Sequence, residues 1–552
     1  MIVRRLVLAG ALAALSPCAS GAAAQAGDVG ESIYLRGVLG SGAPLEGTRD
    51  AGGVLATGAD AACVNCHQRS GLGTIEGRVA VPPVTGQFLF RSRTQDPSQP
   101  ELPYIEGLKG DRDPYTDETL ARAIRDGVDA QGRAFGYVMP NYALGDADMA
   151  ALIAYLKKLG VRRVPGVTDT VLHFATVVTP DADPLKRRGM LDVLEQYVAQ
   201  KNAFPLKPSP RMLTSAKGQW SKSMYMANRH WELHVWELTG PAASWRAQLE
   251  EHLAAEPVYA VLSGVGGTTW APVHEFCEQH AIPCLFPNVE APVVKEHDFY
   301  PLYFSKGVLL EAQLVARALL GPDRRPAVRV VEQVYRAGDS GEAAASALAA
   351  ELEGSGVTVH RTVLPAGGPK HEVAAALRKS SRRKDARGQA LVLWLRPSDL
   401  AALGDEPPAA STVYLSGLMG GLERSPLPAS WRGRSIMTCP FDPPGRRGVR
   451  LDYPLGWFSH RHIRIVAVQV QTDTYLACSL LAEVLNRMAD NFTRPYLIEQ
   501  LQGTLEHRLI TGYYPRLSLA SNQRFASKGG YLLRFRDPKG TALGEVGGWT
   551  VP

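Results

Sequence analysis

The sequence predicts a multidomain chain, with an all-α domain over residues 27–160 and a two-lobed α/β domain over residues 171–552. In the first part, segments with helix start and stop signals flank a short cysteine motif. In the second part, apolar runs typical of buried strands alternate with helical patterns, which indicates layers of parallel α/β structure. A chain of 552 residues also exceeds what one core supports, so several lobes are expected. A stretch with Pro165 and Gly166 predicts a linker over residues 161–170.

Three helices are predicted in the first part, over residues 30–37, 116–127 and 146–160. Thr116 suits the N-cap of the second helix, because a side-chain oxygen can accept hydrogen bonds from the first N–H groups. Gly127 suits its end, because glycine readily takes the left-handed conformation. The third helix is apolar on one face, which predicts that it packs on the core.

In the second part, the alternation of strands and helices occurs twice. We expect lobe 1 to comprise approximately residues 171–305 and 500–552, and lobe 2 approximately residues 306–475. In open α/β sheets, ligands bind at the carboxyl ends of the strands. The sequence therefore predicts a cleft between the lobes, lined by the loops that follow the strands.

The first 26 residues have the pattern of a secretory signal peptide. Arg4 and Arg5 precede an apolar run, and small residues before Gly27 suit a cleavage site. The run is too short to span a bilayer, and no later stretch is long enough to do so. We expect a mature protein that is soluble and periplasmic. Cys18 weakly suggests lipidation, but Pro17 beside it argues against that, and lipidation is left open.

Cys63, Cys66 and His67 form the pattern of covalent haem attachment. Two thiols at this spacing can each add to a vinyl group of the same porphyrin, and the next residue places an imidazole under the iron. Covalent attachment of this type is completed outside the bacterial cytoplasm, which agrees with the signal peptide. A zinc site or a disulfide at the two cysteines is the alternative interpretation.

The second axial ligand is predicted to be a thioether. His67 is the only histidine between Gly27 and Arg163, and Met139 and Met149 are the only methionines there. Met149 falls on the predicted last helix and is expected in the core. Met139 stands in a loop context, so the sequence predicts His67 and Met139 as the iron ligands.

With these residues, the segment from about Gly30 to Gly160 resembles a class I c-type cytochrome. The resemblance implies an all-α fold, one covalently bound haem c and electron transfer. A long glycine-rich stretch over residues 40–58 departs from the family pattern without affecting the predicted ligands.

A second resemblance rests on the order and spacing of residues in the α/β part. The segments that carry it are residues 259–269, 281–292, 302–305, 513–516 and 522–529. The region 171–536 resembles the type 1 periplasmic solute-binding proteins, specifically the branched-chain amino acid/amide-binding family of ABC transporters. The resemblance implies a two-lobed leucine-binding-like fold and a small-molecule solute in the cleft.

In that family, hydroxyls and backbone N–H groups of the loop after the third strand bind the solute's carboxylate. The matching positions in this chain, with those of the next loop, are Ser263, Gly264, Thr268, Thr269, Asn288 and Glu290. Glu290 departs from the family, since an acid would repel a carboxylate, and Ser340 stands near the position of an expected aromatic contact. A neutral or cationic solute is therefore at least as reasonable as an amino acid. Arg396 is expected at the surface, with a position in the cleft as the alternative.

Other patterns carry weaker signals. His460 and His462 have a spacing that could hold a metal, but a solvated pair is the preferred interpretation because no carboxylate or cysteine is near in sequence. Cys277 and Cys284 form either a disulfide or two buried thiols. No nucleophile–base or paired-carboxylate pattern is found, so no enzyme is expected.

Two functions remain. The first is a periplasmic monohaem electron carrier that takes electrons from a dehydrogenase and passes them to an oxidase or another cytochrome; the α/β domain would bind a small molecule or dock a partner. Its resemblance to binding proteins that accompany quinoprotein alcohol oxidation implies a dehydrogenase of the quinoprotein type as the preferred donor. The second is the substrate-binding component of an ABC-type importer, with an ABC permease as partner and the cytochrome as accessory or redox sensor. Nucleic-acid binding is disfavoured, because a net charge of +6 is spread over 552 residues without a basic cluster.

Overall fold

The computed structural model divides into two compact units, residues 1–162 and residues 163–552. It describes residues 26–49, 53–76, 79–91, 112–136, 138–160, 163–203, 228–295, 297–321, 328–369, 371–381, 388–407, 410–488, 491–520 and 522–552. The predicted signal peptide up to residue 25, Cys18 and the first two residues of the predicted linker lie outside this part of the chain. Within the described residues, no helix is long and apolar enough to cross a membrane.

The helices of unit 1 form a small core. They are α1 (Ala26–Arg36), α2 (Val64–His67), α3 (Gly86–Leu89), α4 (Asp117–Asp126) and α5 (Asp146–Lys158). Helices α1 and α5 pack closely. A Cβ added at Gly30 would lie 2.2 Å from the carbonyl oxygen of Ala151, so the approach of the two helices requires glycine. Beside this contact, the rings of Tyr34 and Tyr155 have centroids 5.4 Å apart.

Both predicted ends of α4 are confirmed. The Thr116 hydroxyl accepts a hydrogen bond from the backbone N–H of Thr119, and the Thr119 hydroxyl accepts one from the N–H of Thr116. This reciprocal pair satisfies two N–H groups that the helix itself leaves free. Gly127 ends the helix with φ of 68°.

The expectation that the first domain is all-α needs correction, because unit 1 also contains strands. Strands β1 (Glu46–Arg49), β2 (Val54–Thr57) and β5 (Asn141–Tyr142) form an antiparallel sheet in the order β2-β1-β5. Strands β3 (Thr74–Glu76) and β4 (Val79–Val81) form a second antiparallel pair. Part of the glycine-rich stretch over residues 40–58 thus forms paired strands, which provide partners for its backbone groups.

Lobe 1 of unit 2 contains a five-stranded parallel sheet in the order β10-β9-β8-β6-β7. Its strands are β6 (Val171–Val178), β7 (His230–Glu237), β8 (Ala260–Leu262), β9 (Cys284–Leu285) and β10 (Pro301–Leu302). The helices between them are α6 (Pro184–Asn202), α7 (Trp245–Ala255) and α8 (Ala271–Gln279). Strand β8 is buried throughout, as expected of a central parallel strand.

Lobe 2 contains a seven-stranded sheet in the order β12-β11-β13-β14-β15-β16-β17. Its strands are β11 (Val330–Arg336), β12 (Thr358–Leu364), β13 (Gln389–Trp394), β14 (Thr412–Ser416), β15 (Ser435–Cys439), β16 (Tyr531–Phe535) and β17 (Leu543–Glu545). The first five are mutually parallel, β16 runs antiparallel to β15, and β17 runs antiparallel to β16. The helices here are α9 (Val308–Leu320), α10 (Ser340–Glu351), α11 (His371–Ser381), α12 (Pro397–Leu400), α13 (Gly417–Gly420) and α14 (Ala429–Arg432).

The predicted division into lobes differs from the structure near the end of the chain. Helix α15 (Gly448–His460) is followed by α16 (Val468–Met488) and α17 (Arg494–Glu506). Helix α16 packs against α6 of lobe 1 and against α17. Strands β16 and β17, expected in lobe 1, extend the sheet of lobe 2 instead. Pairing across a sheet depends on long-range contacts that a local pattern does not contain.

A buried carboxyl group lies in lobe 2. Glu311 of α9 is fully buried and accepts hydrogen bonds from the hydroxyls of Ser416 and Thr438 and from the N–H of Leu418. Burial raises the pKa of Glu311 to about 7, against an ordinary value of 4.5, although the three donors lower it in part. Because the folded-state pKa exceeds the unfolded one, this group costs stability as the pH rises from 4.5 to about 7.

We expect Glu311→Gln to stabilise unit 2 above pH 7 by up to about 3 kcal/mol, the equivalent of this shift, and to have a smaller effect near pH 5. The amide oxygen can accept from Leu418 and Thr438, and the amide N–H can donate to Ser416. Denaturant unfolding followed by tryptophan fluorescence measures the effect, since all nine tryptophans lie in unit 2. Glu353→Gln, at an exposed position, is the control. A stability difference between wild type and Glu311→Gln that does not change with pH would contradict the argument.

Candidate functional site

The cysteine motif of unit 1 lies on a single helical turn. Cys63 is the N-cap of α2, and Cys66 and His67 are its last two residues. The backbone N–H of His67 donates to the carbonyl oxygen of Cys63 over 2.9 Å, which closes the turn. Gln68 then takes a φ of 63° and ends the helix. Neither thiol is in a disulfide, and both are partly exposed, so the two sulfur atoms and the imidazole belong to one short, well-defined segment.

One hydrogen bond fixes the imidazole of this turn. His67 Nδ1 lies 2.9 Å from the carbonyl oxygen of Pro82. A carbonyl oxygen can only accept, so Nδ1 carries the proton and Nε2 keeps its lone pair. Burial lowers the pKa of His67, although the bond to Pro82 raises it in part, which favours the neutral ring. A backbone carbonyl that orients a histidine in this way is typical of metal-ligating imidazoles.

Met139 lies in the segment that leads into β5. Its side chain is half-buried and packs, like that of Cys63, against the core cluster of unit 1. Tyr142 of β5 lies near both cysteines, and the pKa of its phenol is raised by burial and by the two thiols. Met149 is 3% exposed in α5, in agreement with its predicted place in the core. The segment with the thioether and the turn with the cysteines therefore border the same part of unit 1.

The donor set suits haem c. Two thiols at the attachment spacing, a neutral imidazole with a free Nε2 and a thioether on a neighbouring segment are the groups that such a cofactor uses. Cys63 and Cys66 would hold the porphyrin covalently, and His67 and Met139 would bind the iron. A haem held by these residues would supply one-electron transfer.

Residues 56–160 match the family model described as cytochrome c. This segment is a cytochrome c domain. The match confirms the first resemblance found in the sequence, and the cytochrome c domain implies a covalently bound haem c and an extracytoplasmic protein. A search of curated proteins finds no match for the chain.

Solved structures that are similar to this chain include substrate-binding proteins of ABC transporters. A fatty acid ABC transporter substrate-binding protein from Thermomonospora curvata is 14% identical, with a TM-score of 0.48 over 71% of this chain and 95% of its own. A leucine-binding protein from Thermotoga maritima is 11% identical, with a TM-score of 0.46 over 68% and 98%. A branched-chain amino acid transporter substrate-binding protein from Streptococcus pneumoniae, in complex with isoleucine, is 12% identical, with a TM-score of 0.45 over 68% and 99%. These scores are below 0.5, so the α/β architecture of unit 2 is assigned from its own two sheets.

The predicted solute-binding positions of unit 2 lie in loops after β8 and β9, as expected, but their polar groups have partners within the protein. Ser263 is fully buried, with its hydroxyl 3.1 Å from that of Thr474. The side-chain amide of Asn288 donates to the Ser263 hydroxyl over 2.9 Å and to the carbonyl oxygen of Gly264 over 3.3 Å. The Thr269 hydroxyl accepts from the N–H of Ala271 over 3.2 Å. These groups hold loops together.

Asp181, which the sequence analysis missed, takes the donors expected to bind a solute carboxylate. Its carboxylate accepts from the N–H and the hydroxyl of Thr268, both over 2.7 Å, and from the hydroxyl of Thr179 over 2.6 Å. Partial burial raises the pKa of Asp181, but these bonds outweigh it and lower the pKa. The only signal in the sequence was its position in the loop directly after β6.

Glu290 connects the two lobes. Its carboxylate accepts from Lys186 of lobe 1 over 2.8 Å, and from Arg396 and Ser340 of lobe 2, both over 2.6 Å. Arg396 also donates to Asp339 over 2.6 Å. Burial raises the pKa of Glu290, but Lys186 and Arg396 outweigh it and hold the pKa well below its ordinary value. The prediction of Arg396 at the surface is wrong, since it is half-buried between the lobes, and Glu290 meets protein cations where a solute contact was predicted.

Two weaker patterns have plain outcomes. Cys277 of α8 and Cys284 of β9 are both buried and not in a disulfide, so the alternative of two buried thiols describes the structure. Burial, with the neighbouring Cys284, raises the pKa of Cys277, which keeps the thiol protonated and inert. His460 and His462 are exposed and belong to no metal-ligand group among the described residues.

Proposed function

We propose that this protein is a periplasmic monohaem c-type cytochrome that carries electrons. The observation that carries the proposal is the turn of Cys63, Cys66 and His67, whose imidazole is neutral and oriented by Pro82 within a cytochrome c domain. A single attachment motif in the sequence supports one haem. Export through the predicted signal peptide agrees with covalent haem attachment outside the cytoplasm.

A histidine and a methionine as the two axial ligands suit an electron carrier more than an enzyme. The thioether raises the reduction potential, and a filled coordination sphere disfavours reaction with O₂. We propose a periplasmic dehydrogenase, of the quinoprotein type, as the electron donor, and an oxidase or a further cytochrome as the acceptor. On this proposal the protein binds its partners and has no catalytic residue of its own.

For unit 2 we propose a role in docking or positioning the redox partner, in preference to solute capture for an ABC-type importer. The support is the set of internal contacts at the predicted solute positions: Asp181 holds Thr268, and Glu290 holds Arg396. A solute would have to displace these carboxylates from short, charge-assisted hydrogen bonds, which are stronger than neutral ones.

Absorption spectra of the haem-loaded full chain in both oxidation states test the proposal, recorded with and without a panel of alcohols, amines and amino acids. We expect a spectrum of low-spin haem c that is insensitive to the panel, and a colourless Cys63→Ser/Cys66→Ser double variant. A colourless wild type from a host competent in haem attachment would overturn the electron-carrier proposal. A reduction potential or thermal midpoint that shifts saturably with one member of the panel would favour solute binding.

A further inference from the structure

A second cluster of metal-ligating side chains lies on the sheet of lobe 1, away from the cytochrome c domain in sequence. Strands β6 and β7 pair in parallel, with His173 opposite Glu232 and Ala175 opposite His234. His173 Nδ1 and His234 Nε2 are 3.1 Å apart. The Glu232 carboxylate oxygens lie 3.7 Å from His173 Nδ1 and 3.9 Å from His234 Nε2. Two imidazoles and a carboxylate thus present their ligand atoms to one point.

These separations are close to those around a metal ion. Nitrogen ligands at about 2.0–2.1 Å from a tetrahedral Zn²⁺ lie about 3.3–3.4 Å from each other. The two ring nitrogens are already at 3.1 Å. Glu232 needs a shift of only a few tenths of an ångström, and its side chain, 56% exposed on an edge strand, is free to turn.

Neighbouring groups prepare His234 to bind a metal. Its Nδ1 lies 3.2 Å from the Glu256 carboxylate, whose other oxygen accepts from the indole N–H of Trp236 over 3.1 Å. An ionised carboxylate keeps the proton on Nδ1 and leaves the lone pair on Nε2, the nitrogen that faces His173. Histidine–carboxylate pairs of this kind orient metal ligands in zinc proteins.

The two imidazoles of the cluster border a cavity of about 280 Å³. The imidazoles of His173 and His234 line it, together with Glu256, Gly166 and Thr168. The side chains of His173 and His234 are 25% and 13% exposed, so neither ring is closed off from solvent. The cavity has room for water molecules beside the two rings.

We propose that His173, Glu232 and His234 form a binding site for a divalent transition-metal ion, with Zn²⁺ as the best fit. Three protein ligands of the His₂Glu type leave the fourth position open to water or an exogenous ligand. In the metal-free form, the Nδ1–H of His173 donates a hydrogen bond to Nε2 of His234. On metal binding, His173 takes the tautomer with its proton on Nε2, so that Nδ1 can bind the ion while the ring stays neutral.

Isothermal titration of untagged, haem-loaded full chain with Zn²⁺ tests the proposal, with metal content after dialysis as a second readout. We expect one equivalent bound by wild type, with affinity reduced at least 100-fold in His234→Gln and about 10- to 100-fold in Glu256→Gln, the range typical of orienting partners. Glu232→Gln removes the charge of a proposed ligand, so we expect it to weaken binding. Because this side chain is 56% exposed, the substitution should not impair folding. His460→Gln, at an exposed histidine outside the cluster, is the matched control and should bind as wild type does.

Two results would overturn the proposal: no binding of Zn²⁺ to wild type, or binding that is equal in wild type, Glu232→Gln and His234→Gln. Circular dichroism and the haem spectrum show whether each variant is folded. If His234→Gln fails to fold, Glu232→Gln alone decides, since unaltered affinity in that variant would contradict a role of its carboxylate.

Discussion

The Met139→Ala variant is expected to lose completely the weak far-red absorption band of the oxidised protein, and its reduction potential is expected to fall. The band arises from thioether ligation of ferric haem, and a thioether ligand raises the potential of a haem with one histidine ligand. Met139 lies on the segment next to Tyr142, which borders both cysteines of the attachment turn. Absorption spectroscopy and a redox titration of the full chain measure the two effects.

Met149→Leu is the matched control for Met139→Ala. Met149 is the other methionine of the cytochrome c domain and is 3% exposed in the core. Leucine keeps nearly the same volume, so the fold is retained and the band is expected to persist. If the band survives in Met139→Ala and disappears in Met149→Leu, the axial assignment is wrong, although the covalent attachment through Cys63 and Cys66 would stand.

The Glu290→Gln variant is expected to destabilise unit 2 by about 2–3 kcal/mol. Removal of one partner from a buried ion pair costs about 3–5 kcal/mol of stability. We expect a smaller loss here, because Arg396 is 34% exposed and keeps Asp339 as a second partner. Denaturant unfolding followed by tryptophan fluorescence measures the loss. Glu275→Gln breaks the exposed pair with Lys295, and we expect it to cost well under 1 kcal/mol.

A double-mutant cycle separates the interaction from the cost of each substitution. Arg396→Gln and the combination with Glu290→Gln complete it, and we expect the double variant to lose less than the sum of the single losses by at least about 1 kcal/mol. Additive losses would mean that Glu290 and Arg396 do not stabilise each other, and the lobes would then be held together by other contacts. A double variant that gains affinity for an amine or an amino acid would show that the ion pair occupies a functional cleft.

The sequence predicted best what depends on neighbours in the chain. The attachment motif and the ends of α4 are local, since each functional group acts within four residues of its partner. The parallel α/β pattern was also recognisable, because each strand–helix unit has its own apolar pattern. The strands of unit 1 were missed because glycine is frequent in the stretch around β1, and glycine is depleted in strands.

The solute cleft could not be predicted in the same way. Asp181 is 87 residues from Thr268, and Glu290 is 106 residues from Arg396. Whether an acidic side chain repels a solute or bonds a cation of its own chain depends on which loops the fold brings together. Likewise His173 and His234 stand in separate strands, and only the register between β6 and β7 shows that they meet.

The order of the last elements has a practical consequence for experiments on fragments. The chain passes from lobe 1 to lobe 2 after β10, returns to pack α16 on α6, and goes back to add β16 and β17 to the second sheet. Neither lobe is a continuous stretch of polypeptide, so no single cut yields one of them whole. A fragment that ends before residue 531 would leave the edge of β15 unpaired. An exposed strand edge of this kind promotes aggregation. The boundary between residues 162 and 163 is where the protein can be divided without opening a sheet.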